Sequence, residues 1–207
     1  MKAIKRVATA AITVMLLAGL QASLPADCSC ELAKKKDGWC RQCKVGYVAS
    51  IQVPSAALFE ALDAHGHDID PKRLRCASCK KALENDGFCD RCRMGFVKKQ
   101  AYLSRLTYYV ARGKVTERSK ITCTTCRKNA QTYGWCESCK VGRIGNFALD
   151  KKADLEEAQK AFKLLERAIR MLDRCETCAV ALFTGGRCRA CKLTYRNGNP
   201  VAAKAKR

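Results

Sequence analysis

All sixteen cysteines of the chain belong to four copies of one spaced pattern. In each copy two cysteines close together are followed, after nine intervening residues, by a Cys-x-x-Cys pair. The four sets are Cys28, Cys30, Cys40 and Cys43; Cys76, Cys79, Cys89 and Cys92; Cys123, Cys126, Cys136 and Cys139; and Cys175, Cys178, Cys188 and Cys191. Four thiolates about 2.3 Å from one point form a tetrahedral Zn²⁺ site. The spacing therefore predicts four tetracysteine metal modules that bind about four Zn²⁺ ions per chain, and other soft metals also suit such ligands.

The residues around the cysteines repeat as well. An aromatic residue precedes the third cysteine in three copies, at Trp39, Phe88 and Trp135, where we expect it to shield the metal, whereas Arg187 stands there in the fourth. A base follows every last cysteine, and a glycine comes two residues later in the first three copies. These residues are Lys44, Arg93, Lys140 and Lys192, and Gly46, Gly95 and Gly142. The glycines predict a tight backbone with positive φ beside the metal, and the bases offset the negative charge of a thiolate site.

The cysteine pattern resembles that of the zinc-ribbon and rubredoxin-like group, in which two Cys-x-x-Cys knuckles bind one metal ion. The resemblance covers only the cysteine segment of each copy. It implies that Cys76, Cys79, Cys89 and Cys92 are the ligands of the best-formed site and that the other sets follow in kind. The first copy departs from the pattern, because one residue fewer separates its first two cysteines. Such a resemblance identifies a structural module and not a function.

Between the cysteine segments, apolar residues recur at helical spacing. The first predicted helix runs from an N-cap at Ser55 to Gly66, and the second spans Lys98–Arg112 with Gly113 as its stop. The third is the strongest and extends from Lys151 to Asp173. Its apolar seam consists of Leu155, Ala158, Phe162, Leu165, Ile169 and Leu172. We expect this helix to pack against a neighbouring module.

The fold class that follows is a small α+β metal-stabilised repeat protein, in which α-helices join four zinc-ribbon-like hairpins with four cysteine ligands each. A single hairpin of this size buries too little apolar surface to fold alone, and bound metal would supply the missing stabilisation. The predicted modules span 27–53, 76–97, 123–147 and 175–196. Helical segments are expected at 54–75, 98–122 and 148–174, followed by a disordered basic tail at 197–207.

Residues 1–22 have the layout of a secretory signal peptide, with cleavage after Ala22 or Ala26. Three bases precede an apolar run, Val7–Leu20, which is shorter than the roughly 20 residues of a membrane span. The sequence therefore predicts an exported protein, periplasmic or extracellular, without a transmembrane domain in the mature chain; an uncleaved anchor is the alternative. Because exported proteins often pair their cysteines, a disulfide framework stays open beside the metal interpretation.

The basic character of the chain bears on its partners. Its formal net charge is +21, part of which would offset the negative charge of thiolate metal sites. Bases cluster near the second cysteine module at Lys72, Arg73, Arg75, Lys80 and Lys81, and another cluster is Lys34–Lys36. Such clusters fit a polyanionic partner, and their alternative is a solvated surface.

Three functions remain open at this point. The first is a non-enzymatic scaffold that binds a protein or polyanionic partner of the cell envelope through several linked modules. The second is binding, buffering or detoxification of a soft metal, to which His65 and His67 could add ligands if they are not simply surface residues. The third is thiol–disulfide exchange. The predicted position of the cysteine pairs on hairpins disfavours it, because reactive pairs lie at helix N-termini. No hydrolase motif is present, so the sequence predicts no enzyme; the oligomeric state is left open.

Overall fold

The structure is a computed structural model that describes residues 30–201. The expected signal peptide, Cys28 and residues 202–207 lie outside this range. The helices of the described part are α1 (Cys30–Lys35), α2 (Ala56–Leu62), α3 (Ala77–Glu84), α4 (Arg105–Arg112), α5 (Thr124–Thr132), α6 (Lys152–Met171) and α7 (Glu176–Thr184). Within these residues, none of the helices has both the length and the hydropathy needed to cross a membrane.

The strands form small antiparallel sheets, one for each cysteine segment. They are β1 (Trp39–Cys40), β2 (Val45–Val48), β3 (Ile51–Val53), β4 (His67–Asp68), β5 (Phe88–Cys89), β6 (Met94–Val97), β7 (Gln100–Tyr102), β8 (Lys114–Val115), β9 (Trp135–Cys136), β10 (Val141–Ile144), β11 (Phe147–Leu149), β12 (Arg187–Cys188), β13 (Leu193–Arg196) and β14 (Asn199–Val201). The sheet orders are β1-β2-β3, β4-β7-β6-β5, β8-β11-β10-β9 and β12-β13-β14. The molecule is therefore a small α+β protein.

Each cysteine segment combines a short helix with a meander of three strands. In the second segment, Cys76 is the N-cap of α3 and Cys79 lies within that helix, whereas Cys89 ends β5. The expectation that both cysteine pairs lie on hairpins is therefore wrong for the first pair, which a helix carries. The reason is local, since the sequence of α3 is rich in Ala, Lys, Leu and Glu, which are good helix formers.

The four short helices end in the same way. The N–H of a glycine bonds to the carbonyl five residues earlier, at N···O distances of 2.7 to 3.1 Å. The donors are Gly38, Gly87, Gly134 and Gly186. The residue before each glycine has a positive φ, from 46° at Asp86 to 73° at Gly185. This is a Schellman ending, and it turns the chain from the helix directly into the strand that carries the third cysteine.

The linking segments are less helical than their apolar spacing suggests. Ser55 caps α2 as predicted, because its hydroxyl accepts a hydrogen bond from Leu58 N–H, but the helix ends at a left-handed Asp63 and not at Gly66. Gly113 ends α4 as predicted, whereas the start of α4 moves from Lys98 to a cap at Ser104. The helix starts late because the preceding residues pair in β7 with β6.

Three short strands occur where helix or disorder was expected. Strand β4 pairs with β7, and β8 pairs with β11, so each adds a fourth strand to its sheet. Strand β14 pairs with β13, which corrects the prediction of a disordered tail for residues 199–201. The connecting Asn197 and Gly198 have φ values of 51° and 75°, as in the tight Asn-Gly hairpin turn.

Helix α6 lies at the centre of the largest hydrophobic cluster. Leu155, Ala158, Phe162 and Leu165 on its seam are at most 4% exposed, and α6 packs against α4, α7, β10 and β11. The same cluster contains residues from all four cysteine segments. The segments therefore share one core instead of hanging separately on linkers. A polar contact reinforces it, since the Ser55 hydroxyl donates to Glu176 Oε1 at 2.7 Å and joins α2 to α7.

Candidate metal centres

The structure brings three complete cysteine quartets together. In each quartet the four Sγ atoms lie within 4.8 Å of one another. The first and third sulfurs are 3.9 Å apart in all three, as between Cys76 and Cys89. A tetrahedral zinc–tetrathiolate centre has S···S edges of about 3.8 Å, whereas a disulfide bond is only about 2.05 Å long. Among the cysteines of these quartets no disulfide is formed, and the donors fit a four-coordinate metal ion.

The first quartet is described in part. Cys30, Cys40 and Cys43 place their sulfurs within the same 4.8 Å. Cys28, the fourth predicted ligand, lies outside the described residues. The three described sulfurs are arranged as in the other quartets, with one half-buried, one buried and one exposed.

Each complete quartet has the same gradient of exposure. The first cysteine is half-buried at the N-terminus of a helix, and the second is buried one turn further along that helix. The third is buried at the end of a strand, and the fourth is exposed in the turn that follows. The second and third ligands thus belong to the hydrophobic interior, while one sulfur of each quartet faces solvent.

Backbone N–H groups donate to sulfur at both ends of the fourth quartet. Cys178 N–H donates to Cys175 Sγ at 3.4 Å, and Cys191 N–H donates to Cys188 Sγ at 3.3 Å. Donors aimed at a metal-bound sulfur stabilise its negative charge and orient it toward the ion. The helix N-terminus supplies one of these donors and the tight turn supplies the other.

Equivalent helix N-terminal donors in the second and third quartets change the acidity of the thiols. The hydrogen bond from Cys79 N–H lowers the pKa of Cys76 to about 6, and that from Cys126 N–H lowers the pKa of Cys123 to about 7. Burial acts in the opposite direction on the second cysteine, since it raises the pKa of Cys79 and raises that of Cys126 to about 12. A bound cation would lower these raised pKa values, because coordination to a metal ion deprotonates a thiol. In the second and third quartets the first thiol is therefore prepared for ionisation, whereas the buried second thiol calls for a positive charge.

The base after the last cysteine forms the turn that carries the fourth sulfur of each group. Lys44, Arg93, Lys140 and Lys192 have φ values of 53°, 55°, 52° and 56°. Positive φ is uncommon for residues other than glycine. Sequence reasoning assigned this conformation to the glycine two residues later and therefore missed the base. The recurrence of a base directly after the last cysteine was the available sequence signal for this conformation. Charge balance with the thiolates already explained that recurrence, so the conformation was not predicted.

The glycines make room for the next helix instead. A Cβ atom would lie 2.2 Å from Phe59 Cδ2 at Gly46, 2.3 Å from Tyr108 Cδ2 at Gly95, and 2.9 Å from Leu155 Cδ1 at Gly142. All of these distances are shorter than a carbon–carbon contact allows. The three contacting side chains belong to the starts of α2, α4 and α6. Each glycine is therefore the point at which a linking helix packs back onto its own sheet.

The aromatic residues before the third cysteine also contact the linking helix. The ring of Trp39 lies 5.5 Å from that of Phe59, and the ring of Phe88 lies 5.4 Å from that of Tyr108. In the described part of the chain no helix follows the fourth segment, where Arg187 is exposed and Thr194 takes the glycine position. Both departures of the fourth copy thus occur at positions that contact a linking helix in other copies.

A cleft of about 870 Å³ opens beside the second quartet. It is lined by Cys92 and Arg93 of the second segment, by α4 and α6, and by the end of α7. Its bases outnumber its two acids, Asp90 and Glu157, both of which pair with Arg105. The cleft therefore presents a positively charged surface next to an exposed sulfur.

No family model, curated protein or solved structure matches the chain.

Proposed function

We propose that this chain is an exported, non-enzymatic zinc-binding scaffold built from four tandem zinc-ribbon-like modules with four cysteine ligands each. One observation carries the proposal: the second and third ligands of each complete quartet are buried among the residues that form the cores. A metal ion held by such ligands is part of the folded interior. Zinc suits this role because it has no redox chemistry and accepts four thiolates in tetrahedral geometry.

Elemental analysis and native mass spectrometry test this proposal. We expect about four zinc ions per chain, and removal of zinc under reducing conditions should unfold the protein because the buried thiols lose their counter-charge. Circular dichroism and amide NMR spectra would follow the unfolding. A reduced, metal-free protein that keeps its fold would contradict the proposal, and so would eight disulfides.

The scaffold would bind a partner that presents negative charge, either a protein or a polyanion. The cleft beside Cys92 supports this, since Arg93, Lys163 and Arg167 line it in addition to the paired Arg105. With heparin as a polyanion probe, we expect binding that weakens steeply with added salt. The double variant Arg93→Glu, Lys163→Glu should weaken it at least tenfold, whereas the control Lys114→Glu, Lys128→Glu, at two exposed bases that do not line the cleft, should not. Equal effects of the two double variants on heparin binding would mean that the cleft is not the binding surface.

Soft-metal buffering is the second candidate, because one observation favours it. The fourth cysteine is exposed in every quartet, at Cys43, Cys92, Cys139 and Cys191, so a competing ligand can reach the ion. Rapid transfer of zinc to a chelator without loss of amide dispersion would support buffering over the structural role. Slow transfer that coincides with unfolding supports the scaffold.

Thiol–disulfide exchange is the third candidate. The position of the first cysteine pair at a helix N-terminus removes the sequence argument against it, because such a position activates a thiol. However, in the complete quartets the first cysteine of this pair is half-buried and the second is buried. The exposed sulfur belongs to the turn and not to the helix. A reactive pair needs an accessible attacking thiol, and we therefore place this function last.

A further inference from the structure

The two histidines of the chain lie beside a single carboxylate. His67 Nε2 is 2.7 Å from Asp63 Oδ2, and His65 Nδ1 is 3.0 Å from Asp63 Oδ1. The imidazole rings have their centroids 4.5 Å apart. The three potential ligand atoms all lie within 4.8 Å of one another. Two imidazole nitrogens and one carboxylate thus converge on one point.

The backbone holds this group at both ends. Asp63 caps the C-terminus of α2 in the left-handed conformation, with φ 48° and ψ 60°, and its N–H bonds to Glu60 O. His67 belongs to β4 and pairs with Ala101 of β7. Both ends of the five-residue segment are therefore fixed by hydrogen-bonded structure.

The middle of the segment is fixed by close packing. A Cβ atom on Gly66 would lie 2.5 Å from Gln100 Oε1 and 2.9 Å from Tyr102 OH, so the loop packs closely against the ends of these two side chains of β7. Preorganised ligands lose little conformational freedom when an ion binds. The loop is therefore a built arrangement and not a chance meeting of mobile side chains.

We propose that Asp63, His65 and His67 form a further metal site, which binds a divalent ion such as Zn²⁺ through two nitrogens and a carboxylate. Three protein ligands leave a coordination position open to water or to another molecule, as in catalytic zinc sites. His65 is 74% exposed and Asp63 is 21% exposed, so an ion reaches the site from solvent. The location at a helix C-terminus also favours a cation.

This site differs from the cysteine quartets in ligand chemistry and in accessibility. Imidazole and carboxylate suit borderline divalent ions, whereas four thiolates also suit softer ones. An ion pair between exposed histidines and one carboxylate would by itself contribute little to stability. The site does not depend on the proposed scaffold function, because none of its ligands is a cysteine.

Zinc titration of the zinc-loaded full chain, followed by imidazole ¹H–¹⁵N NMR, tests the proposal. Because the chain has two histidines, every imidazole signal reports on this site. We expect both histidines to shift together and to saturate after about one further equivalent of Zn²⁺ beyond the cysteine-bound metal. A shift of one histidine alone, or of neither, would overturn the proposal.

Variants of two of the three residues separate a metal site from an ion pair. Asp63→Asn keeps a residue that tolerates the left-handed conformation, and His65→Ala changes an exposed side chain that the fold does not need. We expect each variant to weaken the additional zinc binding at least tenfold. The control Asp68→Asn removes an exposed carboxylate from β4 outside the cluster and should leave binding unchanged. Unchanged binding in both test variants, with unchanged amide spectra, would also overturn the proposal.

Discussion

In the first three segments, two residues that follow the last cysteine have separate roles. The base that follows the last cysteine takes the left-handed conformation and closes the turn, for example at Arg93. The glycine two residues later receives a side chain from the next helix, for example Tyr108 against Gly95. Thr194 takes this position in the fourth segment, which no linking helix follows in the described chain. The repeated glycine is therefore a packing feature.

Replacement of Gly95 by alanine tests this packing role. The new Cβ would lie 2.3 Å from Tyr108 Cδ2, and Tyr108 is only 3% exposed, so α4 must move. We expect a loss of about 1–3 kcal/mol in the free energy of unfolding, as for other overpacked sites, with the second metal site intact. Gly38→Ala is the control, because its Cβ would meet atoms only at ordinary contact distance, 3.6 Å or more. Chemical denaturation and zinc analysis give both values, and loss of zinc from the Gly95 variant would argue for a metal role.

At the scale of elements, α6 joins three parts of the molecule. Its buried seam faces α4, α7 and the third sheet. Asp154 near its start forms an ion pair with Arg112 of α4 at 2.8 Å, with both side chains largely buried. Arg112 also donates to the backbone carbonyl of Asp86, in the turn before β5. Helix α6 therefore fixes the second segment relative to the third and fourth.

Replacement of Leu165 by aspartate places an unpaired charge in this seam. Leu165 is fully buried, so the substitution loses apolar packing and must either bury a carboxylate or expel it. We expect a loss of several kcal/mol in the free energy of unfolding and a clear fall in the melting temperature. Lys163→Asp, on the exposed face of the same helix, is the matched control and should change stability by about 0.5 kcal/mol or less. An unchanged melt of the Leu165 variant would mean that α6 is a solvated spacer.

The sequence predicted those elements whose signal is local. The seam of α6, the cap at Ser55 and the stop at Gly113 follow from periodicity and side-chain type, and the structure contains all three. The two-residue strands β4 and β8 could not be predicted, because they exist only through pairing with β7 and β11. The dipeptide Asn197-Gly198 is typical of a hairpin turn, but the prediction of a disordered tail at 197–207 did not use it. The described cysteines group as their spacing predicted, and their metal binding stays a prediction.

At the scale of the whole molecule, the quartets are unequally connected to the main core. Cys178 and Cys188 of the fourth quartet belong to the large cluster around α6. The buried ligands of the second quartet lie in a separate small cluster with Phe96 and Ala101. Those of the third, Cys126 and Cys136, lie in another with Ile121. The fourth copy departs most from the shared sequence pattern, yet its buried ligands are the ones that belong to the large cluster.

Loss of the fourth site should therefore affect the whole molecule, whereas loss of the third should remain local. Cys188→Ser and Cys136→Ser remove equivalent buried ligands, so each is the control for the other. We expect Cys188→Ser to lower the melting temperature more and to abolish amide protection throughout α6 and α7, since their packing includes the fourth quartet. Cys136→Ser should reduce protection mainly in α5 and β9, because its cluster is confined to their surroundings. Hydrogen exchange with mass spectrometry, performed on zinc-loaded protein, distinguishes the two patterns. Equal loss of protection across the chain in both variants would mean that the metal sites, and not the core around α6, set the cooperativity of the fold.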